Sequence, residues 1–142
     1  MYDVVVDASV AVKWLVAEED SERAAELLDF KAYQCCVPDF LYGEVVNVIW
    51  QHVKSKKMLA PKGLELLRQL KEIPLRVIPT QGLISRAFMI AEQQKLAATY
   101  DAIYLACALE ENAMLITADY RFYRSIHDSI LRRHIELLTP LQ

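Results

Sequence analysis

The stretch "VVVDASVAVKWL", Val4 to Leu15, changes its pattern in mid-course. Its first half is a run of valines, the composition of a buried strand, whereas after Ser9 the apolar residues recur at helical spacing. An acid, Asp7, stands at the change. The same alternation repeats along the chain. Strand candidates are "YDVVVD", "QCCVP", "LRVIP", "AMLIT" and "IELLT". Helices are expected after Ser9, from Asp20-Ser21 in "SERAAELLDF", from Pro38-Asp39 to about Lys57, and from Pro61. Further ones should cover roughly Leu83–Lys95 and Asp101–Glu111, with a short helix following Asp119.

Apolar strands joined by helices require crossover connections, hence a parallel sheet covered on both faces. The expectation is an α/β fold: a three-layer α/β/α sandwich with a central parallel five-stranded sheet, formed by residues 1–142 as one domain. Only three glycines are present, and no G-x-G-x-x-G or Walker loop, which sets dinucleotide and P-loop chemistry aside. Cys35, Cys36 and Cys107 are an odd number without a C-x-x-C frame, and read as buried thiols. His52, His127 and His134 lack the spacing of a zinc site.

Hydrophobic residues form 54% of the chain, slightly above the ordinary share of about 45–50%, which hints at a buried partner surface. No apolar run approaches the roughly 20 residues that span a bilayer, and the first residues carry acids where a signal peptide carries Lys or Arg. A cytoplasmic location without a membrane is expected. The formal net charge of −3 provides no global field for nucleic acid, so any polyanion must be held by local cations.

In a parallel α/β sheet, ligands bind beyond the carboxyl ends of the strands. Asp7 closes the first strand, Asp119 lies just past the fourth in "LITADYRF", and Asp101 opens a helix in "TYDAIYLACAL". Glu44 sits early in the long helix of "PDFLYGEVVNVIW", amid Leu41, Val45, Val48 and Ile49. Taken singly, Asp101 and Asp119 suit helix N-caps and Asp7 an Asx-turn. A mid-helix Glu in apolar surroundings gains nothing from capping and loses solvation if buried. Two carboxylates about 4 Å apart repel by roughly 4 kcal/mol at an effective dielectric of about 20, so four together need protons or a cation. A hard ion such as Mg²⁺ or Mn²⁺ suits oxygen ligands and commonly bridges carboxylates to phosphate. Ser9, Asn47 and Thr117 are supporting candidates, placed to orient these acids or a water. The chemistry this suggests is phosphodiester hydrolysis.

With "VVVDASVAVKWL", "PDFLYGEVVNVIW", "TYDAIYLACAL" and "LITADYRF" in this order, the chain resembles the PIN-domain ribonucleases, and within them the VapC toxins of type II toxin–antitoxin pairs, over essentially its whole length. The resemblance implies a PIN-like fold and a metal-dependent endoribonuclease with Mg²⁺ or Mn²⁺ as cofactor. Cleavage would leave a 5′-phosphate and a 3′-hydroxyl. Carried over by position, the catalytic and metal-binding residues are Asp7, Glu44, Asp101 and Asp119, with Asp7 and Asp101 as direct ligands and the other two direct or through water. On that reading the remainder of the Asp101 helix, Ala102 to Leu109, is core packing.

The resemblance also implies partners: an RNA substrate, a cognate antitoxin and a second copy in a homodimer. For RNA, the candidate contacts are Arg121 and Arg124, in a segment that also carries Arg132 and Arg133; a solvated face accounts for these arginines equally well. The basic run "HVKSKK" is explained by cations favoured at a helix C-terminus. From Phe40 to Ile73 the chain carries more apolar residues than one sheet can cover, including Trp50, Val53, Leu59 and Leu66, so part of it is expected to be an interface. Two rivals remain. A receiver domain would need adjacent acids after the first strand and a lysine after the last, and neither is present. A catalytically silent PIN-like module binding RNA or protein is the other.

Overall fold

Val4, Val5 and Val6 are all buried, and because successive strand residues point to opposite faces, both faces of their sheet are covered. They belong to β1 (Tyr2–Val6), the middle strand of the sheet. The computed structural model describes residues 1–139. After β1 come α1 (Ala8–Leu15), α2 (Ser21–Glu26), β2 (Tyr33–Pro38), α3 (Phe40–Lys54), α4 (Ala60–Glu72) and β3 (Arg76–Ile78). A 3₁₀ turn at Thr80–Leu83 leads into α5 (Ile84–Gln94), followed by α6 (Tyr100–Glu110), β4 (Met114–Thr117), α7 (Tyr120–Ser125), α8 (Ser129–Arg132) and β5 (Ile135–Leu137).

All strand pairs are parallel, in the order β3-β2-β1-β4-β5. The chain therefore builds outward from β1 on one side, then returns to build outward on the other. The turning point lies between β1 and β4, where Val5 is paired with Leu115 and Val6 with Ile116. A crevice opens at such a switch point beyond the strand ends, because the connections leaving the two strands diverge. Asp7 follows β1 directly and Asp119 lies two residues past the end of β4.

α6 packs against β1, β2 and β4, and every residue from Ala102 to Ala108 is buried. This explains a sequence that is apolar all round rather than on one stripe. α1 lies against β1 and β4 and also meets α2, α3 and α4. Gly63 lets α4 close on α3: a Cβ there would lie 3.1 Å from Ile49 Cγ2 and 3.2 Å from Val53 Cγ2.

The five expected strands are all present. The differences lie at element ends. α3 stops at Lys54 rather than near Lys57, because Lys56 takes a left-handed φ of 64°. α2 is a short helix, followed by turns, rather than one through Phe30. α8 was not anticipated; it is a single turn, capped by Asp128, whose side chain accepts from the Ile130 and Leu131 amides. Leu66, expected among interface residues, is core instead, whereas Trp50 and Leu59 are exposed. Cys35, Cys36 and Cys107 are free and buried, as expected.

Candidate active site

Asp7 is the N-cap of α1, and its carboxylate is almost wholly buried. Its position is held from α1 and β4 at once. Ser9 Oγ donates to Oδ1 at 2.5 Å, Thr117 Oγ1 donates to Oδ2 at 2.5 Å, and the Val10 amide donates to Oδ1 at 3.3 Å. The two hydroxyls are themselves fixed by the loop after β4, accepting from the amides of Ala118 and Asp119 at 3.0 Å each. A carboxylate offers about four acceptor positions, so these three bonds leave one for a ligand. Burial pushes the Asp7 carboxyl up to about 6, against the lowering effect of its hydrogen bonds and with a further push from Asp119.

Asp119 caps α7, accepting from the Phe122 amide at 3.1 Å. The capping role read from sequence for Asp119 is thus present, and Asp7, read as an Asx-turn, also caps a helix; neither role prevents the free face of the carboxylate from reaching the crevice. Asp101 is different. The N-cap of α6 is Thr99, and Asp101 lies inside the first turn with no hydrogen bond to its carboxylate among the described residues. Burial, then the charges of Asp7, Asp119 and Glu44, push it up to about 7.

Glu44, from the second turn of α3, accepts a short hydrogen bond from the Tyr104 hydroxyl. Burial raises its carboxyl and that bond opposes the rise. Tyr104 thus corrects the expectation that α6 beyond Asp101 is only packing. Its ring is buried, but its hydroxyl belongs to the site.

All four acids line one cavity of about 400 Å³, with Ser9, Lys13, Glu18, Val48, His52 and Tyr104 among the other wall residues. On α3 the wall runs Glu44, Val48, His52, at four-residue spacing. Asn47 falls on the other side of Glu44, is exposed and does not reach the cavity. Thr117 acts from behind, through Asp7. Arg121 and Arg124 are exposed on α7 and are not part of the wall; Arg124 lies over the Tyr120 ring, 5.5 Å from its centroid. Arg132 similarly covers Tyr123 at 4.4 Å.

Sequence reasoning missed Tyr104, Lys13, Glu18 and His52. For Tyr104 and His52 a signal existed, since they lie one and two helical turns beyond Asp101 and Glu44 on the same faces. Lys13 and Glu18 depend on how the chain turns after α1, which periodicity does not disclose.

Among the described residues, no three His, Cys, Asp or Glu side chains are drawn together as a closed ion cage. The donor chemistry nevertheless fits a hard divalent cation: the converging groups are oxygens, Asp101 has no protein partner, and the mutual repulsion that raises it is what a cation relieves.

A family model described as PIN domain matches residues 4–125. The ribonuclease VapC9 of Mycobacterium tuberculosis is 30% identical over 120 residues, 83% of this chain and 87% of that protein. Among solved structures, a Pyrobaculum aerophilum protein aligns with a TM-score of 0.69 at 16% identity, covering 94% of this chain and 89% of that one. A chain of a toxin-antitoxin complex from Klebsiella pneumoniae aligns at 0.66 and 17% identity, covering 97% and 99%. Identities at that level bear on the fold alone.

Proposed function

Because the chain belongs to the PIN domain family and is similar to VapC ribonucleases over most of both lengths, we propose that it is a metal-dependent endoribonuclease, the toxin of a toxin–antitoxin pair. The observation that carries the reading is the meeting of Asp7, Glu44, Asp101 and Asp119 in one cavity at the sheet's switch point. Asp7 and Asp101 would hold Mg²⁺ or Mn²⁺ directly, with Glu44 and Asp119 direct or through water. Bound there, the ion supplies a water made acidic enough to attack phosphorus and relief of the charge building on the leaving oxygen.

The chain's own groups prepare that step. Ser9 and Thr117 fix Asp7 and favour its charged form by donating to both of its oxygens. Tyr104 fixes the rotamer of Glu44. Asp101, without a protein donor, keeps all its acceptor positions open to the crevice, where a cation would favour its charged form. In the reaction, the water oxygen gives up a proton and bonds to phosphorus, the bond from phosphorus to the 3′-oxygen breaks, and the 3′-oxygen takes up a proton from solvent.

The exposed Val46, Trp50, Leu59 and Leu64 of the α3–α4 unit support a protein partner there, a cognate antitoxin or a second copy in a homodimer. No described helix is long and apolar enough to cross a membrane; the reading includes a cytoplasmic location.

The test is cleavage of purified total RNA with Mg²⁺, Mn²⁺ or EDTA, beside an Asp101→Asn variant prepared identically. Cutting that requires metal and is lost in the variant is the expected result. Equal behaviour of the two proteins would transfer the assignment to a silent binding module.

A further inference from the structure

Lys13 is the only lysine or arginine among the described residues that line the carboxylate cavity. It belongs to the last turn of α1, where a cation favours the helix dipole, yet a side chain serving the dipole alone would extend into water. Instead its side chain is only 12% exposed, folded down onto the cavity wall. The ammonium donates to Glu18 Oε1 at 3.3 Å and to the Glu19 carbonyl at 2.7 Å. An ammonium has three donors, so one stays available.

Among the described residues it forms no ion pair with any of the four acids. The charges acting on Asp101 are those of Asp7, Asp119 and Glu44, all carboxylates. Lys13 is therefore a positive point on a wall whose other full charges are carboxylates, tied to Glu18, whose own side chain is 37% exposed and whose pull is weakened by solvent. A compact ammonium of this kind suits a phosphate oxygen as a point charge. The arginines singled out in the sequence stand outside the cavity.

We propose that Lys13 binds a backbone phosphate of the RNA substrate at the cavity wall, with Glu18 and the Glu19 carbonyl holding the ammonium in place beforehand. This rests on the ribonuclease reading. Lys13 acts on substrate binding, not on metal binding.

The test measures binding of a short single-stranded RNA against salt concentration, with Asp101→Asn in every protein to prevent cutting. Lys13→Met should weaken binding several-fold and flatten the slope of log K against log salt by about 0.7, the value for one phosphate contact on a single strand. Lys13→Arg should keep the slope. Glu18→Gln, which removes the ion pair but keeps the ammonium, should bind as tightly as the parent or more so. In the cutting-competent protein, Lys13→Met should raise KM more than it lowers kcat, with Mn²⁺ binding by calorimetry unchanged. Weaker binding with an unaltered slope would make Lys13 a structural tie and overturn the proposal. So would equal binding. If the parent binds no RNA and the native chain cuts none, the ribonuclease reading itself falls and this inference with it; normal RNA binding by the parent with no Lys13 effect removes Lys13 alone.

Discussion

The Thr117 hydroxyl at the end of β4 donates to the Asp7 carboxylate at the end of β1, across 110 positions of sequence. The same oxygen accepts from the Asp119 amide, so one side chain aligns two of the four acids. Thr117→Val keeps the shape and removes both functions. The expected destabilisation is about 1–3 kcal/mol, the range for stranding buried polar partners. Cleavage should fall further than stability does, and its acidic limb should move to higher pH, since Asp7 loses a bond that favours its charged form. Denaturant unfolding and a pH–rate profile measure the two effects; a variant that loses only stability would show that Thr117 merely packs.

Tyr104→Phe separates positioning from packing more cleanly. The ring fills the same core volume against Phe40, 6.1 Å away between centroids, and only the donor to Glu44 is lost. Stability should change by about 1 kcal/mol or less. Affinity for Mn²⁺ should drop about 10-fold or more, the usual cost of removing a group that orients a ligand. Calorimetry with unchanged affinity would exclude Glu44 from ion binding or Tyr104 from orienting it.

The three inner strands were legible because they are buried on both faces and therefore read as almost unbroken apolar runs: "VVV" in β1, "CCV" in β2 and "LIT" in β4 are buried residue after residue. The acids were legible for the complementary reason, as charges interrupting such runs. Contacts made across space were less so. Nothing at Lys13 announces that the chain doubles back to put Glu18 beside it, and nothing at Asn47 announces that the cavity lies on the other side of Glu44. The arginines after Asp119 were open to two readings, and a basic composition does not reveal that Arg124 and Arg132 lie over tyrosine rings.

Trp50 offers an optical test of the α3–α4 surface. It is 53% exposed, whereas Trp14, the other tryptophan, is partly buried and donates to the Ala24 carbonyl at 2.8 Å. A partner seated on α3 and α4 should therefore shift the emission of Trp50 to shorter wavelength and leave Trp14 little changed. In the isolated protein, light scattering at micromolar concentration should report a dimer, and Trp50→Glu should shift it toward monomer by placing a charge in an apolar contact. A wild-type monomer whose Trp50 emission is insensitive to the antitoxin would sink the interface.

Acid and metal should act on stability in the same direction, since a proton and a cation each relieve the crowded carboxylates. Asp7 is raised from 3.8 to about 6 and Asp101 from 3.8 to about 7, so between about pH 4 and pH 7 the folded chain holds protons that the unfolded chain has released. A raised carboxyl contributes stability that is fully present below its unfolded value and is lost as pH rises through its folded value. The metal-free protein should thus weaken from pH 4 to pH 7.5, by about 3 kcal/mol for Asp7 at 1.36 kcal/mol per unit, with a smaller, solvent-screened share from Asp101. Asp101→Asn removes its share and should be more stable than wild type at pH 7.5 in EDTA. Divalent ion reverses the order: Mn²⁺ at about 100 times its dissociation constant should return about 2.7 kcal/mol to wild type and little to the variant. Urea unfolding at pH 5 and 7.5, with EDTA or Mn²⁺, provides all four comparisons. Wild type that grows more stable toward pH 7.5 in EDTA would mean that the acids are not crowded together without their ion.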